Sequence, residues 1–345
     1  MVGSSGHTSN EGTKLLLELC DKTMLGKSVP DDWHVQQVAL IFKKGDPADC
    51  GNYRPICLLN AAYKIFAMVL LKRLLQAGAD ERVSPTQFGF RQKRGTEDAL
   101  HCARRAIDRA NADRGGCLHL LALDWAKAFD SINADATLNA LRRFGLPAHF
   151  CEVVRSIYTG RIFAVRECGE TSGQCRQDSG ICQGCPLSPF LFIIVMTLLM
   201  HDARQLLSRS AQDALSKGEL SDILYADDTL ILGKLSKDVE EYASAVERAG
   251  AKYGMKLHWG KTQALCVGNA HSLKKPDGSF FDNVESLLYL GAVLCRHGRV
   301  GSEISRKLGT ARADFNQLQR VWSHSDVPLQ DKVKYFAAYI LSKLR

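Results

Sequence analysis

Long apolar runs are almost missing from this sequence. The longest, Phe190 to Met200, covers eleven residues and stops at His201-Asp202, well short of the roughly twenty that a membrane-crossing helix needs. No signal peptide opens the chain, no internal repeat recurs along it and no long linker divides it, so secreted, solenoid and beaded-domain classes are excluded as expectations. Paired cysteines are also wanting. The twelve present are scattered singly through apolar stretches from Cys20 to Cys295, apart from Cys182-Gln-Gly-Cys185. That pair has zinc-like spacing, but no second pair or histidine cluster stands near it to complete four ligands. The thiols therefore read as reduced and mostly buried.

What is present is ordinary globular chemistry, with 345 residues, 46% apolar and 24% charged. One large domain or two closely joined ones are expected. The formal charge is +8, and Arg296 to Arg345 alone holds ten Lys/Arg against four Asp/Glu. A polyanionic partner fits that surplus, as does a solvated basic helix face.

Periodicity lays out the elements. A polar, Gly/Ser-rich start precedes a short amphipathic helix carrying Leu15, Leu16, Leu19 and Cys20. Val35 to Phe42 reads as a strand that runs into a basic turn, and Asn60 to Gln76 and Thr96 to Arg114 read as helices. Cys117 to Leu123 is a continuous apolar strand delivering Asp124 at its end, with a helix through Leu141 behind it. Residues 161–181 suggest a hairpin and Pro186 to Leu207 a long apolar helix. Asp222 to Leu232 reads as two short strands meeting at Ala226-Asp227-Asp228. Ser236 can cap a helix with Val239, Tyr242, Val246 and Ala249 inward, ending at Gly250. Strand signals around Leu257 to Val267 and Leu287 to Leu294 precede basic helices. The β-α-β-β-α-β alternation from Cys117 to Val267 predicts an α+β, ferredoxin-like antiparallel sheet backed by helices on one face. Its centre can bring Asp124 beside Asp227 and Asp228, which lie 103 and 104 residues further along.

Three carboxylates in one place suit a particular chemistry. Activating a hydroxyl and neutralising a triphosphate is accomplished by two divalent ions ~3.5–4 Å apart, and magnesium takes hard oxygen ligands while keeping several waters. Alone, an Asp-Asp pair reads more readily as a surface turn. Its surroundings decide.

Tyr225-Ala226-Asp227-Asp228 between apolar strands resembles the YxDD box of reverse transcriptases. Leu121 to Asp130, with its Ala-Phe-Asp ending, resembles the first catalytic motif of the non-LTR (LINE-like) and group II intron enzymes. Asn52-Tyr-Arg-Pro-Ile56 with Lys64, Gln87-Phe-Gly-Phe-Arg91 with Arg94-Gly95-Thr96, and Gly180 to Pro189 resemble further motifs of the same family, as do Gly254 to Thr262 and Tyr289-Leu290-Gly291. Together these seven ordered motifs span about residues 33 to 295.

The resemblance implies a right-hand polymerase fold and an RNA-directed DNA polymerase activity. Residues 1–34 would form an N-terminal helical extension, 35–116 the fingers, 117–300 the palm with an inserted fingers hairpin, and 301–345 the start of a truncated thumb. Asp124, Asp227 and Asp228 would hold two Mg2+ ions, with Mn2+ as an alternative. Phe129 would lie under the sugar of the incoming nucleotide and exclude a 2′-hydroxyl, or else be a core aromatic. Gln183 and Gly184 would lie against template and nucleotide. Arg91 and Arg54 would reach the triphosphate, Arg54 having a structural ion pair as its other reading. Lys261 would assist pyrophosphate departure or sit as a solvated turn lysine. Tyr289, Leu290 and Gly291 would form the primer grip.

The implied partners are an RNA template, a DNA primer and deoxynucleoside triphosphates, with no membrane, in the nucleus and cytoplasm. A longer polyprotein with an endonuclease domain is expected around this segment. Cys182, Cys185 and His258 depart from the family's usual residues, which puts nucleotide affinity in question. An RNA-dependent RNA polymerase and an inactive remnant that only binds nucleic acid are the competing readings. Phe129 argues against the first and the retained aspartates against the second.

Overall fold

The computed structural model describes residues 5–26, 29–167 and 169–344. In chain order the strands are β1 (Val35–Phe42), β2 (Tyr53–Leu58), β3 (Cys117–Leu123), β4 (Ile162–Glu167), β5 (Glu170–Thr171), β6 (Cys175–Arg176), β7 (Leu220–Tyr225), β8 (Asp228–Gly233), β9 (Gln263–Gly268), β10 (Ser286–Tyr289) and β11 (Ala292–Cys295). The sheet that positions the site has the order β7-β8-β3-β9, each neighbour antiparallel. This is the expected split β-α-β arrangement.

The apolar character of β3, broken only by the buried His119, has a physical cause. Its side chains alternate between two buried faces, Leu121 and Leu123 joining one hydrophobic cluster and Leu118 and Leu120 the other. A strand covered on both sides is apolar on both, and the one polar side chain, His119, approaches the Gly233 carbonyl of β8 at 3.2 Å. On the first face lie the helices Ala134–Arg143, Ser188–Gln205 and Ser236–Ala251. Phe190 to Met196 are all at most 2% exposed, so this stretch of Ser188–Gln205 is apolar all round because it is enclosed all round, while the last turn, with His201 and Gln205, reaches solvent.

On the second face, helix Thr96–Ala112 packs Ala99, Ala103, Ile107 and Ala110 against Leu118, Leu120, Ile223 and Leu265, and the β10–β11 hairpin covers the rest. Helical periodicity announces a buried face but not which sheet will receive it. The strand signal near Leu287 likewise belongs to this hairpin, whereas β9 pairs with β3.

A second sheet, β2-β1-β4-β5 with β6 also on β4, sits beside the first; β1 and β4 run parallel. Thus the 161–181 segment is more than a hairpin, since its first strand joins the sheet begun at Val35. Smaller departures have local causes. The helix expected through Leu141 is broken into Ala128–Ser131 and Ala134–Arg143, because Asn133 caps the second by accepting from Asp135 and Ala136 N–H. Ser236 is the first helical residue after Leu235 and makes no capping bond. The first helix runs Ser5–Met24, longer than expected, while residues 1–4 of the polar start lie outside the described residues. At the other end, Gly301–Gln317, Gln319–Ser323 and Leu329–Tyr335 are helical, joined by stacking of Phe315 on Trp322. Among the described residues no helix is long and apolar enough to cross a membrane.

Candidate active site

The predicted carboxylates meet at one end of the first sheet. Leu123 of β3 pairs with Thr229 of β8, and Tyr225 of β7 pairs with Asp228, so Asp124 leaves its strand beside the turn that carries Asp227 and Asp228. The segment beyond Asp124 is fixed by the Trp125–Leu257 bridge and by His258 N–H donating to the Asp124 carbonyl at 2.8 Å. His258, one of the departures from the family pattern, thus contributes its backbone here.

The turn itself is strained. Ala226 has φ +56°, a left-handed conformation that costs an ordinary residue on the order of 1–2 kcal/mol. It is also crowded with charge. Burial pushes the Asp227 carboxyl up and Asp124 adds to the shift, while its own backbone and Arg54 pull it back. Withdrawal of water, then Asp227, then Asp124 raise Asp228 to about 6, although part of its side chain reaches solvent. Asp124 opposes ionisation of both Asp227 and Asp228, and Asp227 opposes that of Asp228, as unneutralised acids brought together do. Among the described residues no three His, Cys, Asp or Glu side chains close into a ready-made metal cage.

Phe129 stands near these acids, its ring stacked on Phe192 and edge-on to Phe90. It is half-buried, with part of the ring left to solvent. Gln183 donates to Asp130 at 2.8 Å, and its carbonyl accepts from Cys57 N–H at 2.7 Å. Gly184 has φ +116°, and a Cβ there would come within 2.6 Å of the Cys57 carbonyl. Its glycine is therefore demanded by the approach of β2.

The two arginines, both expected to reach the triphosphate, stand in different surroundings. Arg91, predicted at the triphosphate, is committed elsewhere. It forms an ion pair with Asp80 at 3.2 Å and donates to the carbonyls of Asp80, Ser84 and Gln87, with its side chain only 6% exposed. A guanidinium so fully used has no fork left for phosphate. Arg54 is exposed on β2, makes no ion pair among the described residues, and its charge is felt by Asp227. Lys261 is exposed in the turn after Leu257, its N–H donating to the His258 carbonyl.

Tyr289, Leu290 and Gly291 form the tip of the β10–β11 hairpin, with Leu290 and Gly291 both at positive φ, the signature of a two-residue hairpin turn. The buried Tyr289 hydroxyl donates to the Ile223 carbonyl of β7 at 3.4 Å. Burial, and then the nearby charges of Asp228 and Asp222, hold that phenol well above its ordinary range. Cys182 and Cys185 are buried, and Cys185 Sγ lies 3.3 Å from the Tyr63 hydroxyl. They fill core positions.

Several residues of the site were not singled out in sequence. Gln87 is fully buried beneath the turn and hydrogen-bonded to Ala226. Trp125 Nε1 donates to Thr229 Oγ1, which donates to the Asp227 carbonyl. Phe192 supports Phe129. Gln87 carried the strongest signal, being a glutamine set directly before Phe88-Gly89-Phe90. Elsewhere, a cleft of about 800 Å³ opens between helix Thr96–Ala112 and the β7 edge, but none of the predicted site residues lines it.

An antiparallel α/β sheet presenting carboxylates where β3 ends and β7 turns into β8 is the palm of a right-hand polymerase. The chain belongs to the reverse transcriptase (RNA-dependent DNA polymerase) family, whose model matches residues 41–294. It is 28% identical over 319 residues to the RNA-directed DNA polymerase from mobile element jockey of Drosophila funebris, covering 88% of this chain and 33% of that protein. It is 25% identical to the Pol polyprotein from the type-1 retrotransposable element R2 of Popillia japonica, covering 83% of this chain and 40% of the relative. Solved telomerase structures share the fold. That of Candida tropicalis, truncated from its C-terminal domain, superposes with TM-score 0.53 at 14% identity, covering 79% of this chain and 55% of the other. That of Candida albicans with a TWJ fragment of telomeric RNA gives 0.53 at 12% identity, covering 96% and 62%. The chain spans about a third of the length of the jockey relative and of the transposon BS polymerase of Drosophila melanogaster.

Proposed function

We propose that this chain is the polymerase core of a non-LTR retroelement, joining deoxynucleotides to a primer 3′-hydroxyl on an RNA template. The observation that carries the reading is the convergence of Asp124, Asp227 and Asp228 at one sheet end, where burial and neighbouring carboxylates hold Asp227 and Asp228 above their ordinary range. Clustered hard oxygen donors with excess negative charge fit two Mg2+ ions, with Mn2+ as an alternative occupant. When bound, the ions would lower the pKa of the primer hydroxyl and neutralise charge on the triphosphate.

The remaining work falls to the chain's own residues. Phe129, wedged between Phe90 and Phe192, leaves no room for a 2′-hydroxyl and so favours deoxynucleotides. Arg54, uncommitted and exposed, is the cation available to the triphosphate. Lys261, exposed in the turn after Leu257, is the residue we assign to assisting pyrophosphate departure. The Asp130 bond holds Gln183, whose remaining amide valences are open to template or nucleotide. Tyr289, Leu290 and Gly291 would support the primer end.

In domain terms, the β1–β2–β4 sheet and residues around it act as fingers, 117–300 with helix Thr96–Ala112 as palm, and 301–345 as the beginning of a thumb. The partners are an RNA template, a DNA primer and deoxynucleoside triphosphates. The wider protein is a polyprotein with an endonuclease domain, acting in the nucleus and cytoplasm. The test is primer extension on an RNA template with magnesium and deoxynucleotides, comparing the chain with Asp227→Asn. Loss of extension in a folded variant is expected. Extension near the parent's rate would overturn the catalytic assignment.

A further inference from the structure

The Asp227 turn combines a left-handed alanine with like charges at close quarters, and both would drive an unsupported loop towards other conformations. Its three successive peptide units are each held by a side chain. In the Tyr225–Ala226 unit, Gln87 Oε1 accepts from Ala226 N–H at 2.9 Å. In the Ala226–Asp227 unit, Gln87 Nε2 donates to the Ala226 carbonyl at 3.3 Å. In the Asp227–Asp228 unit, Thr229 Oγ1 donates to the Asp227 carbonyl at 3.1 Å, and is itself oriented by Trp125 Nε1 at 3.1 Å.

One amide therefore grips both backbone groups of the strained residue. Its own place is fixed as well. Gln87 is 0% exposed, and Oε1 also accepts from Gly89 N–H at 2.8 Å. Thr86 and Phe88 add themselves to the free edge of β7 through Leu224 N–H to the Thr86 carbonyl (2.9 Å) and Phe88 N–H to the Leu224 carbonyl (2.8 Å). Gly89 lies so near the turn that a Cβ there would stand 2.3 Å from Ala226 N. The segment 86–89 is thus pressed against the turn from beneath and leaves the upper side of Asp227 clear.

We propose that Gln87 is a positioning residue for nucleotidyl transfer, an amide clamp that fixes the direction in which Asp227 presents its carboxylate. The inference rests on the catalytic reading of Asp227 given above. Reacting groups held a fraction of an ångström from their productive geometry lose rate steeply. A clamp on the two peptide units leading into Asp227 governs that geometry without touching metal or substrate. Glutamine suits the task because a single amide both accepts and donates, and at this depth it would be costly to bury without its bonds.

The experiment compares Gln87→Met, of similar length but without the amide, and Gln87→Glu, which keeps the accepted bonds and loses the donated one. Each is assayed by single-nucleotide extension with magnesium titrated, and rates are referred to active sites counted from the pre-steady-state burst. The expected result for Gln87→Met is a kcat per active site lowered about ten- to a hundredfold. Half-saturation by magnesium should move upward and KM for the deoxynucleotide should stay within about twofold, as for an interaction made in the transition state. Gln87→Glu should fall between Met and the parent chain. A residue that merely stabilised the fold would lower the burst amplitude and leave kcat per site and the magnesium dependence alone, and that result would overturn the proposal. A rise in KM alone would overturn it too. If Gln87→Met does not fold, Gln87→Glu is read by the same two quantities, parental values of both counting against the clamp. Asp227→Asn is run alongside. Activity retained there sinks the catalytic reading itself, whereas an inactive Asp227→Asn beside fully active Gln87 variants sinks the clamp alone.

Discussion

The ring of Phe129 lies stacked on that of Phe192, centroids 4.1 Å apart and planes within 13°. Phe192 is fully buried in helix Ser188–Gln205, so the position of Phe129 is set from the core and not by whatever binds above it. Replacing Phe129 by Val should raise ribonucleotide incorporation relative to deoxynucleotide by opening the space above Phe192. It should also cost about 1–3 kcal/mol of stability, less than a fully buried truncation, because the ring is half-exposed. Competition between the two nucleotides gives the ratio of kcat/KM values and thermal unfolding gives the second quantity. An unchanged ratio with lowered stability would mean that Phe129 is packing alone.

The acids at the turn make a prediction for the divalent-free protein. The Asp228 carboxyl titrates at about 6 against an ordinary 3.8, so the fold favours its protonated form. The associated stability is fully present below about pH 4 and is lost as pH rises through 6. In buffer stripped of divalent ions, the parent chain's Tm should therefore fall between pH 4 and 6 more steeply than that of Asp228→Asn, and at pH 7 the variant should be the more stable. Calorimetry at several pH values checks both statements. Parallel curves would show that the neighbouring charges do not strain the fold.

Arg91 and Arg54 should separate cleanly. Removing Arg91 leaves Asp80 and three carbonyls without their donor, a loss of the order of 3 kcal/mol for a largely buried pair. Arg91→Met should therefore lower Tm. Arg54→Ala, on an exposed side chain of an edge strand, should leave Tm nearly untouched and raise KM for the deoxynucleotide. Unfolding curves and steady-state kinetics on the two variants decide it, and a normal KM in Arg54→Ala would remove that residue from the triphosphate.

The contrast between these two arginines shows where the sequence was legible. Signals carried within a few residues came through. The β3 run, the short strands around Ala226-Asp227-Asp228 and the inward face Val239, Tyr242, Val246 and Ala249 all stand as read. Relationships between distant residues did not. Arg91 finds Asp80 eleven positions earlier, and nothing in either residue type announces the pairing. Strand β2 was hidden by Pro55, since proline ordinarily argues against a strand and is tolerated here because β2 is an edge. Gln87 was quoted within a motif but given no role, because a clamp on Ala226, 139 positions further along, exists only once the chain between them has folded back.

The basic C-terminal helices supply the last expectation. Arg312 and Arg320 are exposed and make no ion pair among the described residues, whereas Arg306 is bound to Glu303 and to the Gly291 carbonyl at the hairpin tip. Cations free of protein partners are the ones able to displace counterions from a nucleic-acid backbone. Each phosphate contact contributes roughly 0.7–0.9 to the slope of log affinity against log salt. The double variant Arg312→Ala, Arg320→Ala should reduce that slope by about 1–2 for an RNA–DNA duplex. Arg306→Ala should change it little and instead loosen the hairpin, which would lower Tm. Fluorescence anisotropy from 50 to about 300 mM salt, a range over which such electrostatic binding weakens strongly, measures the slopes directly. If the double variant keeps the parent slope while affinity is unaltered, the duplex does not lie along these helices, and the positive charge gathered there is a solvated face.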